Sequence, residues 1–231
     1  MTLTLALESS ADVCAVALVA DGETLGVRQI EMSRGHAEAL VPLVQDLAME
    51  TDIALTALDL IGVTRGPGSF TGVRTGIAAA RGFAIASGAP AVGVSSLKAV
   101  AKGAADACQL SDSILCILDT RRSDYFAQMF DPAGMASDAP RVMSGDALYA
   151  LIRSEQPALV GNAVTKLLSG YDGDPKKLRQ IPGAGNPDPV DVAKIAESIL
   201  RNEEFGQETL TPLYLREPEA KLPQNGGRLK R

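Results

Sequence analysis

The chain has 231 residues, a formal net charge of -6, and 46% hydrophobic against 22% charged residues, enough for one large or two small domains with a sizeable core. The negative balance excludes tight, charge-driven nucleic-acid binding by the surface as a whole, and 4% aromatics without tryptophan call for an aliphatic, alanine-rich core. Cys14, Cys108 and Cys116 form no C-x-x-C pair, a sparse usage that points to reduced thiols and a cytoplasmic protein.

Residues 2–7 and 14–20 are apolar and read as strands, separated by the polar Glu8-Ser9-Ser10-Ala11-Asp12. Glu8 and Asp12 interrupt this apolar start and no basic region precedes it, which argues against a signal peptide. No stretch of about 18 apolar residues lacks a charge, so no membrane span is expected. Asp21-Gly22 between apolar runs is a hairpin signal into a third strand at 24–30. A helix follows at 35–50, with Leu40, Leu43 and Leu47 on one stripe and Ala37, Val41, Val44 and Ala48 on the next. Pro42 inside it predicts a kink or a late start. Leu60–Thr64 reads as a strand, 71–87 as a helix and Ala91–Val94 as a strand, and Ser95-Ser96 can cap a helix at 97–107.

The order so far is β-β-β-α-β-α-β, and a weaker copy follows. It has strands at 113–118 and 125–130, a helix at 146–154, a strand at Ala158–Val160, and a short helix opened by Gly161-Asn162-Ala163. Residues 171–188 are rich in Gly, Pro and Asp and read as loop. Residues 190–201 read as an amphipathic helix with Val192, Ile195, Ala196 and Ile199 on one face. The tail from Pro218 reads as disordered, and its basic end, Arg228-Leu229-Lys230-Arg231, is too short to be a binding module.

The densest signal is Arg65-Gly66-Pro67-Gly68-Ser69-Phe70-Thr71-Gly72-Val73-Arg74-Thr75-Gly76, between the Leu60–Thr64 strand and the following helix. A Gly/Pro turn at that place aims backbone N–H groups above a helix N-terminus, which suits an anion. The run lacks the lysine of a Walker A loop and the glycine spacing of a dinucleotide fingerprint.

Two successive β-β-β-α-β-α units resemble the duplicated fold of sugar kinases, actin and hsp70-type ATPases. Leu5-Ala6-Leu7-Glu8-Ser9-Ser10, the run from Gly35 to Pro42, the segment from Gly66 to Gly76, and Pro212-Leu213-Tyr214-Leu215-Arg216 occur in this order. Together they resemble the TsaB (YeaZ) family over roughly residues 3 to 216. The resemblance implies an α/β, actin-like fold of two lobes, each a mixed sheet flanked by helices. The lobes are expected at 1–106, a partner-binding lobe, and 107–217, a degenerate copy, before a tail at 218–231. It also implies a non-catalytic subunit that pairs with a TsaD-like enzyme and a TsaE-like ATPase to form N6-threonylcarbamoyladenosine beside tRNA anticodons. Self-dimerisation when alone, tRNA contact only through the complex, and no membrane association go with it. No cofactor is expected on the lone chain, with ATP or ADP at the partner junction left open. The alternative is an enzyme acting alone, either an actin-like phosphotransferase or ATPase, or a protease-like hydrolase.

The residues themselves favour the accessory reading. His36 is the one histidine of the chain, and one imidazole cannot supply the two ligands of an H-x-x-x-H metal pair. Ser69 lies outside any G-x-S-x-G elbow and reads as a helix cap. In the actin-like group the turn after the first strand carries an acid that orients metal-nucleotide. Here that place holds Glu8, Ser9 and Ser10, the second half offers Asp119-Thr120, and Gly183-Ala184-Gly185 is a candidate adenosine clamp. The candidate nucleotide or anion contacts are therefore Glu8, Ser9, Ser10, Gly68, Ser69, Thr71 and Arg74. The helix at 71–87 is apolar nearly all round, which requires cover on more than one side. With the helix at 35–50 it is expected to dock a second helix pair through His36, Leu40, Leu43, Leu47, Gly72, Val73, Gly76, Ile77 and Ala80.

Overall fold

The structure is a computed structural model that describes residues 2–108, 110–202 and 210–216. The expected tail at 218–231 lies outside the described residues. Two mixed sheets form the frame. In the first, β1 (Leu3–Ala11), β2 (Val13–Ala20) and β3 (Glu23–Glu31) are antiparallel, and β4 (Leu60–Thr64) and β5 (Ala91–Val94) run parallel to β1, in the order β3-β2-β1-β4-β5. The β2–β3 turn is Asp21-Gly22 with φ of 48° and 83°, the left-handed pair that a two-residue hairpin requires.

The second sheet repeats the pattern. β6 (Ile114–Asp119), β7 (Asp124–Phe130) and β8 (Arg141–Ser144) are antiparallel, and β9 (Ala158–Val160) is parallel to β6, in the order β8-β7-β6-β9. Strand β8 was not expected from the sequence, because four half-exposed residues carry no alternation. Where the first sheet has β5, the second has only a bridge between Leu159 and Gln180. The loop at 171–188 thus supplies a vestigial fifth strand.

Helices α1 (His36–Glu50) and α2 (Phe70–Ser87) cover one face of the first sheet. Helix α1 runs through Pro42, which sits on its exposed side, where water can satisfy the carbonyl that loses its partner. Ser69 caps α2 by accepting from Gly72 N, and Gly88 ends it at φ 78°. Helices α4 (Gly145–Glu155) and α5 (Val164–Leu168) cover one face of the second sheet.

The remaining two helices exchange sheets. Helix α3 (Ser96–Cys108) follows the first sheet but packs Leu97, Val100 and Ala104 on Ile114, Cys116 and Phe130 of the second. Helix α6 (Pro189–Arg201) follows the second sheet but packs Val192, Ile195 and Ile199 with Ala6, Ala17, Val19 and Leu60 of the first. Buried Glu197 on α6 accepts a hydrogen bond from Thr4 Oγ1 at 2.9 Å. No helix among the described residues is long and apolar enough to cross a membrane.

Candidate functional site

The glycine segment is welded to the β1–β2 junction. Ser69 N donates to Ser10 O at 2.7 Å, and Ser9 Oγ donates to Gly72 O at 2.9 Å. A Cβ on Gly68 or Gly72 would fall on the carbonyl oxygen of Ser10 or Ser9, and one on Gly76 would lie 2.6 Å from Ser9 Oγ. Ser96 N donates to Gly66 O at 2.9 Å, and Ser96 Oγ bonds Ser10 Oγ at 2.9 Å. The glycines therefore serve close approach of two backbones.

This changes the reading of the candidate anion contacts. The structure brings Glu8, Ser9, Ser10, Gly68, Ser69, Thr71 and Arg74 to one place, but the polar groups of Glu8, Ser9 and Ser10 are engaged inside the fold. Glu8 is fully buried, and its Oε1 accepts from Ser10 N, Ser10 Oγ and Ala11 N at 2.7, 2.8 and 3.0 Å. Thr64 stands beside the carboxyl, yet neither Glu8 Oε2 nor Thr64 Oγ1 has a well-formed hydrogen bond. Burial pushes the Glu8 carboxyl up to about 7, against the lowering by those hydrogen bonds. In the second half, Asp119 Oδ1 accepts from Lys166 Nζ at 2.7 Å and from Arg121 N at 2.8 Å. One oxygen of each acid, Glu8 Oε1 and Asp119 Oδ1, is thus taken up by the protein's own donors. Among the described residues, no three His, Cys, Asp or Glu side chains converge as a metal set.

The structure places the expected docking residues inside the fold of the single chain. His36, Leu40, Leu43, Leu47, Gly72, Val73, Gly76, Ile77 and Ala80 are all buried within the single chain. The broad apolar arcs of α1 and α2 face their own sheet, packing on Leu5, Leu7, Val16 and Leu18, and His36 Nε2 lies 3.1 Å from Ala11 O. The outward faces carry other side chains: Val41 and Met49 on α1, and Phe70 and Ile85 on α2, the last 86% exposed. Periodicity located the helices and their apolar arcs; it could not say which arc the sheet takes.

Residues 210–216 form a strap along α2 toward the second lobe. Arg81 donates to Leu210 O at 2.7 Å, Leu213 N donates to Arg65 O at 2.8 Å, and Arg74 Nε donates to Tyr214 Oη at 2.8 Å. The Arg74 guanidinium stacks 3.6 Å from the Phe70 ring centroid, and Phe70 and Tyr214 rings lie 5.9 Å apart. Arg216 pairs with Asp124 of β7, and Thr120 and Arg216 together hold the Asp124 carboxyl below its ordinary value despite its desolvation. Between strap, α2 and the β6–β7 turn lies a cleft of about 570 Å³, lined also by Asp119, Arg121, Arg122 and Phe126. Sequence reasoning found Gly68, Ser69, Thr71, Arg74 and the Asp119-Thr120 pair of this cleft and missed its other arginines and its aromatic rings. Three separate segments supply them, and the one signal was Tyr214-Leu215-Arg216 inside an otherwise loop-like end.

A second cleft, of about 630 Å³, takes in Gly183, Ala184 and Gly185, the candidate adenosine clamp. Its charged lining is Asp12, Glu31, Asp188 and Asp191. Burial, then neighbouring Asp188, raises Asp191 to about 6. Four carboxylates make this a poor seat for phosphates.

Comparison with known proteins agrees with this architecture. The family model for TsaD, tRNA N6-adenosine threonylcarbamoyltransferase, matches residues 21–148. The TsaB protein of Escherichia coli is 40% identical over 100 residues, 43% of each chain. YeaZ from Pseudomonas aeruginosa superposes with a TM-score of 0.77 at 25% identity, over 93% of this chain and 100% of that one. The chain belongs to the TsaB (YeaZ) family, within the wider TsaD-like group. A ROK hexokinase from Thermus thermophilus shares the fold alone, with a TM-score of 0.52 at 15% identity over 86% of this chain and 100% of that one. The chain's matches span about half the length of the curated TsaB relatives.

Proposed function

We propose that this chain is a non-catalytic subunit that binds and supports a TsaD-like enzyme in forming N6-threonylcarbamoyladenosine on tRNA. The observation that carries the reading is the outward face of α1 and α2. It leaves Val41, Met49 and Ile85 in solvent beside the small Ala78, Gly82 and Ala86. Large apolar groups rimmed by small ones let a second helix pair approach closely, as an association surface requires. The same face serves self-pairing when the partner is absent. A TsaE-like ATPase joins the complex, which modifies tRNA in the cytoplasm. The lone chain binds no nucleotide, because Glu8 and Asp119 are already engaged by internal donors. ATP or ADP would sit at the junction with the partner.

Size-exclusion chromatography with light scattering tests this, on the chain alone and mixed with the TsaD-like protein of the same organism. A homodimer that converts to a heterodimer is expected. Ile85→Glu should block both species while the melting curve stays that of the parent, since Ile85 contacts solvent. Ile77→Glu should instead unfold the chain, because that side chain is 3% exposed in the core. A monomer that ignores the partner removes the reading.

A further inference from the structure

We infer that the cleft between α2, the strap and the β6–β7 turn is a binding site for an unpaired strand of RNA. The chain has only five Phe and four Tyr residues, and Phe70, Phe126 and Tyr214 all line this cleft. Arg74, Arg121, Arg122 and Arg216 line it too. Its acid, Asp119, is paired with Lys166, and Asp124 nearby is paired with Arg216. Arg121 in turn pairs with Asp12, so five basic side chains at the cleft, Lys166 included, meet three carboxylates, a local cationic excess on a chain of net charge -6.

Ring faces next to guanidinium forks suit a base beside a phosphate. Bases stack on the rings whatever their sequence, and arginines track the backbone. Phe70 and Tyr214 are 59% and 53% exposed, so the platform is open, whereas a small-molecule site encloses most of its ligand. Openness favours a passing strand over a free nucleotide. A volume of about 570 Å³ admits nucleotide-sized groups and not a duplex. Arg74, fixed by its stack on Phe70 and its bond to Tyr214, is pre-organised for such a ligand.

The inference stands on the cleft and needs no partner, so its failure leaves the accessory-subunit reading untouched, and the reverse holds too. The test is fluorescence anisotropy with the full chain and a short fluorescein-labelled single-stranded RNA at low salt. The same RNA annealed to its complement and unlabelled ADP as competitor complete the set. The single strand should bind at least tenfold more tightly than the duplex. Phe70→Ala should weaken binding about tenfold, as loss of one stacked base does, while Phe70→Tyr keeps it. Arg122→Ala should lower the slope of log affinity against log salt by about 0.7. Equal binding of duplex overturns the inference, as does equal loss in Phe70→Ala and Phe70→Tyr. Displacement of the RNA by ADP at matching nucleotide concentration also overturns it, in favour of a mononucleotide pocket.

Discussion

Glu8 is ionisable, fully buried and only half satisfied, so its proton should show in the stability of the chain. Folding raises its pKa from 4.5 to about 7. Between those values the folded chain keeps a proton that the unfolded chain has lost. The contribution of Glu8 to stability is therefore greatest below pH 4.5, falls as pH rises to 7, and stays at its low value above. At about 1.4 kcal/mol per unit, the whole change is about 3 kcal/mol. Glu8→Gln keeps an oxygen for Ser10 N and Ala11 N and places an N–H beside Thr64. Urea unfolding of both proteins from pH 5 to 8 should show the variant gaining on the parent as pH rises. A constant difference across that range would mean that Glu8 stays ionised in the fold. Glycine positions make the opposite contrast, between two sites on one helix. Gly72→Ala sets a Cβ on the Ser9 carbonyl, where only backbone movement gives room, whereas a Cβ on Gly82 meets nothing within 4 Å. The first should cost several kcal/mol or abolish soluble expression, and the second should stabilise by roughly 0.8 kcal/mol. Thermal melts of the pair decide it.

At the scale of elements, local chemistry was readable and pairing was not. The Asp21-Gly22 hairpin, the Ser69 cap and the strand–turn–helix around Gly66 follow from residues close in sequence, and the chain forms all three. Strand β8 and the bridge at Gln180 arise from neighbours far along the chain, β7 and β9, so nothing local announces them. Helix α2 shows the same limit in its faces. Its apolar residues circle nearly the whole helix, and which arc becomes core depends on where the first sheet lies. The inward arc took Val73, Ile77 and Ala80, leaving Phe70 and Ile85 outside. The cleft was legible only in part, because its rings come from α2, β7 and the strap. The strap makes an element-scale prediction of its own. Tyr214→Phe removes the acceptor of Arg74 Nε but keeps the ring over Phe70, so the strap should loosen by only about 1 kcal/mol. Asp124→Ala strands Arg216, whose Nε is already buried without a partner, and should cost more. Hydrogen exchange at residues 213–216 would report both, and protection in Asp124→Ala equal to that of the parent would mean that the Asp124–Arg216 pair contributes nothing to holding the strap.

The exchanged helices bind the whole molecule into one cooperative unit. Each sheet has one face covered by helices of its own half and the other by a helix from the opposite half. Removing α6 would bare Ala6, Ala17, Val19 and Leu60, and removing α3 would bare Ile114, Cys116 and Phe130. Burial of Val192, Ile195 and Ile199 alone is worth roughly 4.5–9 kcal/mol at the usual 1.5–3 kcal/mol for each large aliphatic side chain. That is comparable to the whole stability of a typical domain, about 5–15 kcal/mol. Neither half can lose its borrowed helix and stay folded. A chain split after residue 109 should therefore give two pieces that are each unfolded or aggregated alone. Co-expressed, they should assemble into one species with the circular dichroism of the intact protein. Calorimetry of the uncut chain should show one transition whose van't Hoff and calorimetric enthalpies agree. Two resolved transitions, or a first piece that folds by itself, would mean that the lobes are separable and that the exchange of α3 and α6 is a minor contact. The Asp12–Arg121 pair between the two hairpin turns and the strap then tie together lobes that already depend on each other, which holds the walls of the cleft at a fixed separation for whatever enters it.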